Sequence, residues 1–249
     1  MGRIIAIANQ KGGVGKTTTA VNLTAALTEK KKKVLLCDFD PQANASSGFG
    51  LNRDEDRITS YDLVINQAEP KDAILHTEYG DLIPSGSDLT GAVVELVAME
   101  SREYRLRNVL KPLQADYDFI FIDCPPSLEL LTLNALCAAD SILVPVQCEY
   151  YALEGLSDLM STLRAVKKAM NPKLEIFGVL LTMYDGRTNL SYQVAEEVRR
   201  HFSKTFTTAI PRNVRLSEAP SYGMPATAYD RLSRGAEAYR ALADEILSE

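Results

Sequence analysis

Residues 9–18, Asn-Gln-Lys-Gly-Gly-Val-Gly-Lys-Thr-Thr, constrain the fold of this chain more than any other stretch. An apolar run, Ile4–Ala8, precedes them, and a helical pattern from about Thr17 to Glu29 follows. A strand, a glycine-rich turn, Gly-Lys-Thr and a helix, in this order, are typical of a phosphate-binding loop. The glycines allow backbone N–H groups to surround phosphate oxygens, and the helix directs its positive N-terminal end to the same place. The sequence therefore predicts a nucleotide site.

The side chains of this loop predict particular contacts with a bound nucleotide. Lys16 is expected to reach the β- and γ-phosphates, and the Thr17 hydroxyl is expected to ligate Mg²⁺. The common loop has glycine five residues before the Gly-Lys pair, where this chain has Gln10, and Lys11 is an additional lysine at the start of the loop. The predicted nucleotide-binding residues of the loop are Lys11, Gly12, Gly13, Val14, Gly15, Lys16, Thr17 and Thr18.

Short apolar runs recur along the rest of the chain and predict strands. The runs are Ile4–Ala8, Val34–Cys37, Phe119–Ile122, Ile142–Val146 and Ile176–Leu181. They are almost continuously apolar rather than alternating, which is typical of a parallel sheet that is covered on both faces.

Helical patterns separate or follow these strands, for example at Leu153–Met170 and Leu190–Phe202. Residues 52–100 are less regular and predict short helices with one strand at Asp81–Pro84. Alternating strands and helices predict an α/β fold, a single doubly wound and mostly parallel sheet flanked by helices. We find no linker long enough to divide the chain, so residues 1–249 are expected to form one domain. Functional residues should then lie at the carboxyl ends of the strands.

Two aspartates follow predicted strands at the positions where a nucleotide site needs carboxylates. Asp40, in Asp-Phe-Asp-Pro-Gln after the second strand, is expected to hold the water shell of Mg²⁺ or to orient the attacking water. Asp123 ends the apolar run Phe119–Ile122, a Walker-B pattern that places a carboxylate behind Mg²⁺. An Asp- and Pro-rich turn is the alternative for the first motif. The predicted metal-associated residues are therefore Thr17, Asp40 and Asp123.

The composition, with 46% apolar and 24% charged residues, is typical of a soluble globular protein, and three further features predict the cytoplasm. Arg3 is followed only by the short strand that leads into the loop, so no signal peptide is predicted. No apolar run approaches the roughly 20 residues that span a bilayer. The four cysteines form no Cys-x-x-Cys pair, which predicts buried thiols in a reduced compartment rather than a zinc site or disulfides.

Five stretches of the sequence resemble the motifs of the deviant Walker A (ParA/MinD) ATPases, and more narrowly those of the chromosomal ParA (Soj) partition ATPases. The stretches are Lys11–Thr18, Asp38–Gln42, Asp123–Ser127, Pro145–Gly155 and Ile210–Pro220. The resemblance extends from Arg3 to about Ile246. The loop alone marks the wider superfamily, whereas the last two stretches indicate the ParA/Soj group.

The resemblance implies an ATPase cycle in which ATP and Mg²⁺ bind, the subunits form a homodimer, and the dimer binds DNA. In the family the lysine that matches Lys11 crosses the dimer interface to the partner's phosphates, so an isolated subunit is a poor ATPase. Asp40 matches the residue needed for hydrolysis, and Asp123 matches the metal-associated aspartate. Pro211 and Asn213 match positions that line the adenine. The residues expected to be catalytic are Lys11, Lys16, Asp40 and Asp123.

Family dimers coat non-specific double-stranded DNA at the nucleoid, and a ParB-type centromere-binding protein stimulates hydrolysis and releases them. The whole chain has a net charge of −6, which argues against a general DNA-coating surface. Residues 187–234, however, contain eight basic and four acidic side chains. Arg187 and Arg215 match the family's phosphate-contacting arginines and are the predicted DNA-binding residues. The alternative is a solvated surface with local ion pairs. Phosphate contacts carry no sequence information, so binding should be non-specific and sensitive to salt.

Three other functions share the loop or the fold. A membrane-site regulator of the MinD kind would need a basic amphipathic C-terminal helix, whereas the tail Ala236–Glu249 has four carboxylates against one arginine. An iron–sulfur reductase would need cysteines that bridge two subunits, and Cys124, Cys137 and Cys148 do not match that placement. A metabolic synthetase would need a small-substrate pocket, for which the sequence contains no recognisable motif. The cargo of a partition ATPase, chromosome or plasmid, stays open.

The sequence departs from the ParA/Soj pattern at two places. Ala43 stands where these proteins usually have glycine after Asp-Pro-Gln, and it is expected to stiffen the first switch without abolishing binding. Lys30–Lys33 replaces the usual helix-ending glycine, and these cations are expected to form a solvated helix end.

Overall fold

The strands of the described residues form one sheet around the strand that leads into the phosphate loop. The computed structural model describes residues 2–52, 56–150 and 152–248. In chain order, the strands β1 to β7 are Arg3–Ile7, Val34–Asp38, Leu75–Thr77, Gly80–Ile83, Phe119–Asp123, Ser141–Gln147 and Glu175–Thr182. Their order in the sheet is β3-β4-β2-β5-β1-β6-β7, and every neighbouring pair is parallel except β3 with β4. The predicted α/β fold with a mostly parallel sheet is confirmed.

Helices cover both faces of this sheet. In chain order, the α-helices α1 to α10 of the described residues are Lys16–Glu29, Asn44–Gly48, Leu89–Val97, Arg105–Leu113, Leu130–Ala138, Ala152–Ala169, Asn189–His201, Val214–Glu218, Ala226–Tyr229 and Arg234–Ser248. The irregular region predicted for residues 52–100 contains a π-helical turn, a 3₁₀ turn, the antiparallel pair β3–β4 and α3. The sequence predicted β4 here but not its antiparallel neighbour, since three residues of mixed character leave no clear strand pattern.

Two buried cores lie on the opposite faces of the sheet. One face packs against α4, α5 and α6, where Leu110, Leu136 and Leu159 are fully buried. The other face packs against α1 and α10, where Leu23 and Leu242 are fully buried. Strands that are buried on both faces must be apolar at every position, which explains their continuous apolar runs.

The last helix is part of the second core. The apolar side of α10, including Tyr239, Leu242 and Ile246, is buried against α1 and the sheet. Glu249, the last residue of the acidic tail considered above, lies outside the described residues. Within the described part of the chain, no helix is both long enough and apolar enough to cross a bilayer.

Strand register brings the functional loops together at one edge of the sheet. β1 pairs with β5 so that Ile7 lies beside Asp123, and β2 pairs with β5 so that Asp38 lies beside the same residue. The phosphate loop leaves β1, and the loop that carries Asp40 leaves β2. The carboxyl ends of adjacent parallel strands therefore place both aspartate motifs next to the loop, as the sequence predicted.

Candidate nucleotide site

The phosphate loop has a backbone shape that needs its glycines. Gly13 has a φ of 74° and Gly15 a φ of 90°, in the left-handed region that other residues rarely adopt. The loop is also fixed from outside, because the Thr182 hydroxyl donates to the carbonyl oxygen of Val14 at 2.8 Å. The Asn9 amide donates to the carbonyl oxygen of Pro145 at 2.8 Å. Gly15 is the N-cap of α1 and supplies no side-chain cap. The first N–H groups of α1 thus remain available to a ligand.

Lys16, the lysine of the Gly-Lys-Thr motif, is almost completely buried, with 6% of its surface exposed. Its ammonium donates to the carbonyl oxygen of Lys11 at 3.0 Å, across the loop. Burial lowers the pKa of Lys16, and the negative charges of Asp123 and Asp40 oppose that shift. A buried cation held against a loop of backbone N–H groups is suited to an anionic ligand.

Lys11 points away from this loop. Its ammonium forms an ion pair with Glu149, which precedes α6, and its side chain is 41% exposed. Gln10 extends to α6 as well, since its amide donates to Asp158 at 3.3 Å. The start of the loop is therefore tied to the segment between β6 and α6. Tyr151, part of the Pro145–Gly155 motif in this segment, lies outside the described residues.

Asp123, at the end of β5, is fully buried behind the loop. By distance and angle, neither of its carboxylate oxygens makes a full hydrogen bond within the described residues, although the Thr17 hydroxyl and the Lys16 ammonium lie close enough to stabilise its charge in part. Burial raises the pKa of Asp123 well above its usual range and the charge of Asp38 raises it further, whereas the Thr17 hydroxyl and the Lys16 ammonium act in the opposite direction. An orphaned carboxylate is costly inside a protein, so its position beside Thr17 and Lys16 fits a site for a divalent cation.

Asp38 and Asp40 lie next to each other at the end of β2, but their surroundings differ. Asp38 is fully buried and accepts two hydrogen bonds from Ser46, both at 2.7 Å, one from its N–H and one from its hydroxyl. Burial raises the pKa of Asp38 to about 6, and the bonds from Ser46 oppose that shift. Asp40 is 6% exposed, and its side chain accepts from the N–H of Gln42 at 2.9 Å. Asp40 therefore belongs to the turn that follows the strand.

Pro211 and Asn213, predicted at the adenine, line a cavity of about 350 Å³ together with Gly15 and Thr18 of the loop. The structure thus brings the C-terminal motif to the phosphate loop, although the two are about 200 residues apart in the sequence. Asn213 is also the N-cap of α8, where its side-chain oxygen accepts from the N–H of Arg215 at 3.0 Å.

The two arginines predicted to bind DNA are exposed, and both are paired with carboxylates. Arg187 binds Asp185 with two hydrogen bonds, at 2.9 and 2.8 Å, and these bonds lower the pKa of Asp185 to about 2. Arg215 binds Glu218 at 2.7 Å and Asp230 at 3.1 Å. The local ion pairs that the sequence left as an alternative are thus present at both positions.

Sequence reasoning missed the place of Asp38 and Thr182 in the site. Asp38 was part of a recognised motif, but only the register between β2 and β5 shows that it lies beside Asp123. Thr182 ends β7, and no local pattern indicates that its hydroxyl holds the phosphate loop.

The cysteines do not add to the site. Cys37, Cys124, Cys137 and Cys148 are all buried as free thiols, as the sequence predicted. Burial raises the pKa of Cys124 well above its usual range, so this neighbour of Asp123 is a neutral thiol. No group of three or more His, Cys, Asp or Glu side chains in the described ranges could by itself enclose a metal ion.

This loop, with its buried lysine and aspartates at the ends of parallel strands, defines the class of P-loop nucleotide-binding proteins. A family model described as an AAA domain matches residues 2–176. The sequence is 57% identical over 249 residues to the sporulation initiation inhibitor protein Soj of Bacillus subtilis, covering 99% of this chain and 98% of that protein. It is 55% identical over 250 residues to the chromosome partitioning protein ParA of Myxococcus xanthus, covering 99% and 88%. The chain belongs to the ParA/Soj family of chromosome-partitioning ATPases.

Solved structures of related proteins have the same fold. A cobyrinic acid a,c-diamide synthase from Mycobacterium smegmatis, solved with an ATP analogue and magnesium, matches with a TM-score of 0.86 and 38% identity. The match covers 99% of this chain and 95% of that chain. The cell division ATPase MinD of Pyrococcus furiosus matches with a TM-score of 0.82 and 33% identity, covering 100% and 99%. The solved relatives therefore carry different names, one a synthase and one a cell division ATPase.

Proposed function

We propose that this member of the ParA/Soj family dimerises on ATP, binds DNA non-specifically and is released when a ParB-type partner stimulates hydrolysis. The orphaned carboxylate of Asp123 beside the phosphate loop is the observation that supports the nucleotide chemistry best. We further propose that residues 1–249 act as one domain and that the protein associates with the nucleoid during chromosome or plasmid segregation.

The residues around the loop fit ATP and Mg²⁺. Backbone N–H groups from Gly12 to Thr18 would surround the phosphates, and Lys16 would exchange its bond to the Lys11 carbonyl for a bond to phosphate oxygen. Thr17 and Asp123 would hold the Mg²⁺ ion, which neutralises phosphate charge in the reaction. Pro211 and Asn213 would enclose the adenine, since they line the cavity next to Gly15.

Hydrolysis needs a water molecule in line with the γ-phosphate. We assign its orientation to Asp40, whose carboxylate lies in the turn after β2 and close enough to the loop for its charge to act on Lys16. Asp38 has a different task, because one of its oxygens accepts from the N–H of Asp40 in that turn and the other accepts from Ser46 in α2. Its carboxylate organises the turn from within.

Lys11 supports the proposed dimer. Its ammonium is directed to Glu149 and is partly exposed, so it does not serve the phosphate site of its own chain in this conformation. In an ATP-bound dimer, Lys11 would leave Glu149 and contact the phosphates of the partner subunit. This exchange replaces one half-exposed ion pair with a contact to several phosphate charges, so ATP favours the dimer.

DNA binding would use the same kind of exchange at the surface. Arg187 and Arg215 are already paired with carboxylates, so DNA phosphates must displace Asp185, Glu218 and Asp230. One subunit gains little from such an exchange, whereas a dimer doubles the number of contacts. This difference explains why binding should depend on ATP and should fall steeply with salt.

The experiment that tests the proposal is binding to duplex DNA of arbitrary sequence, with ATP, with ADP and without nucleotide, at two salt concentrations. The Asp40→Ala variant serves to hold the ATP state. Binding that requires ATP, falls with salt and ignores sequence is the expected result. Equal binding in all three nucleotide states, or none in any state while ATP still binds, would contradict it.

A MinD-like role at the membrane is the main alternative, and one observation argues against it. A membrane-targeting helix needs a free apolar side. The apolar side of α10 is buried in the core through Tyr239, Leu242 and Ile246. The name of the Mycobacterium smegmatis relative also suggests a synthetase, but the proteins that are 55 and 57% identical are named for partition and sporulation.

A further inference from the structure

Asp38, Asp40, Ser46 and Ser85 form a closed ring of hydrogen bonds. The N–H of Asp40 donates to one oxygen of Asp38 at 3.2 Å, and the hydroxyl of Ser46 donates to the other at 2.7 Å. The N–H of Ser85 donates to the Ser46 hydroxyl oxygen at 3.0 Å. The Ser85 hydroxyl donates to the carbonyl oxygen of Asp40 at 2.8 Å and completes the ring.

The four residues of this ring come from three parts of the fold. Asp38 ends β2, Ser46 lies in α2, and Ser85 lies two residues after β4. All four are buried, with exposed fractions between 0 and 8%. In this buried ring the Ser46 hydroxyl both donates and accepts, and the Ser85 hydroxyl donates. The ring holds its members in one arrangement, because any break leaves a buried polar group without a partner. The ring therefore fixes the Asp40 turn to β4.

Ser85 acts on the main chain of Asp40, not on its carboxylate. The Asp40 carbonyl oxygen accepts from the Ser85 hydroxyl and from the N–H of Ala43 at 2.8 Å, while the Asp40 side chain accepts from Gln42. The peptide of Asp40 is thus held on one side by β4 and on the other by its own turn. The Asp40 carboxylate keeps a single orientation only while both sets of hydrogen bonds remain intact.

We infer that Ser85 is a positioning residue for ATP hydrolysis, which holds the main chain of Asp40 so that its carboxylate is aimed at the attacking water. The inference rests on the proposed role of Asp40. Ser85 hydrogen-bonds Asp40 and Ser46 and makes no hydrogen bond to the phosphate loop within the described ranges, so its loss should affect the chemical step and spare ATP binding.

The test compares single-turnover ATP hydrolysis and ATP affinity, measured with a fluorescent ATP analogue and Mg²⁺, in wild type, Ser85→Ala and Ser85→Thr. Ser85→Ala should lower the hydrolysis rate about 10-fold, the effect of one buried hydrogen bond on an aligned group, and leave affinity within about 2-fold. Ser85→Thr keeps the hydroxyl and should restore most of the rate. Ser87→Ala, at an exposed position two residues later, is the matched control and should behave as wild type.

The outcomes separate a positioning role from a merely structural one. Equal rates for wild type and Ser85→Ala, or a parallel loss of rate and affinity in both Ser85 variants, would overturn the inference. If Ser85→Ala does not fold, Ser46→Ala opens the same ring from the other side, and an unchanged rate in that variant would equally overturn it. A wild-type protein that binds ATP but never hydrolyses it, even with duplex DNA and a ParB-type protein added, would instead refute the proposed function.

Discussion

Charged side chains have opposite surroundings in two regions of this molecule. At the phosphate loop, Asp123 is fully buried and its oxygens have no hydrogen-bond partner in the described structure. At the C-terminal surface, Arg187 and Arg215 are exposed and paired with neighbouring carboxylates. Burying an uncompensated charge costs several kcal/mol, whereas an exposed ion pair costs almost nothing to form or to break.

The difference teaches which charges carry information about function. A buried carboxylate that its neighbours compensate only in part must either take up a proton or be balanced by a charge from outside the chain, so Asp123 indicates a cationic ligand. Exposed charges in local pairs are compatible with binding and with simple solvation. The nucleotide site is therefore the stronger assignment, and the DNA surface depends on experiment.

The largest effect should follow from the Lys16→Ala substitution. Removing the buried ammonium leaves the loop without its main phosphate charge, so ATP affinity should fall by about 100-fold or more. Titration with a fluorescent ATP analogue measures this change. Lys168→Ala, near the end of α6 on an exposed face, serves as the control and should bind ATP normally. Unchanged affinity in Lys16→Ala would mean that the buried charge of the loop does not bind ATP.

The second test concerns the paired arginines. Arg215→Ala should weaken binding of the ATP-bound dimer to duplex DNA by about 10-fold, because each subunit loses one charged phosphate contact. Two lost contacts should reduce the slope of log affinity against log salt by about 2. ATPase activity without DNA should remain, because Arg215 lies outside the loop.

The control for Arg215 is Arg102→Ala, which removes an arginine of similar exposure that is paired with Glu103. This variant should keep the affinity for duplex DNA and the dependence of that affinity on salt, since Arg102 lies outside residues 187–234. If both variants bind DNA like wild type, the arginines form only a solvated surface. Equal losses in the two variants would mean that DNA responds to overall charge and not to this surface.

Much of the fold could be predicted because its signals are local. The continuous apolar runs place β1, β2, β5, β6 and β7 within one or two residues of their observed ends, and the loop motif places α1. The pattern of apolar and polar residues was less informative for α5, a helix that is buried on almost every side, and for β3, a strand of only three residues. Packing against the rest of the chain decides such elements.

The site was predictable in its residue types and less so in its geometry. Lys16, Thr17 and Asp123 follow from a motif, because a phosphate and its metal need those groups at the end of a strand. The orphaned state of Asp123 depends on the register with β2, and the ring through Ser46 and Ser85 depends on residues 39 positions apart. The pair of Arg187 with Asp185 is a local contact that two-residue spacing could have suggested.

A third prediction sharpens the contrast through stability. Asp123→Asn should raise the free energy of unfolding of the nucleotide-free protein at pH 8 by about 1–2 kcal/mol, because it removes a buried charge that Lys16 and Thr17 compensate only in part. The folded pKa of Asp123 is raised, so the ionised group lowers stability above that pKa, and this penalty fades as the pH falls toward the unfolded value of about 3.9. Urea unfolding at pH 8 and pH 5 should show the larger gain at pH 8.

With Mg²⁺ and ATP bound, wild type should become more stable than Asp123→Asn. These ligands should stabilise wild type more than Asp123→Asn, since the variant has lost the carboxylate that would balance the metal. Asp116→Asn, at an exposed aspartate, is the control and should leave stability unchanged at both pH values. A loss of stability in nucleotide-free Asp123→Asn would show that the carboxylate is already satisfied within the chain.

The smallest effect concerns backbone strain at a buried and an exposed position. Ala43, with a φ of 50°, and Lys31, with a φ of 62°, both adopt the left-handed conformation. Glycine would relieve about 1 kcal/mol of folded-state strain at either place but would also add freedom to the unfolded chain. Ala43 is 2% exposed, so Ala43→Gly additionally loses a buried methyl group worth up to about 0.8 kcal/mol.

Lys31→Gly should therefore raise the free energy of unfolding by up to about 0.5 kcal/mol, whereas Ala43→Gly should leave it unchanged or slightly lower. Urea unfolding of both variants measures the difference, and Lys31→Ala separates the effect of the lost charge from that of the backbone. A clear gain in Ala43→Gly, equal to that in Lys31→Gly, would mean that the Ala43 methyl contributes nothing to packing.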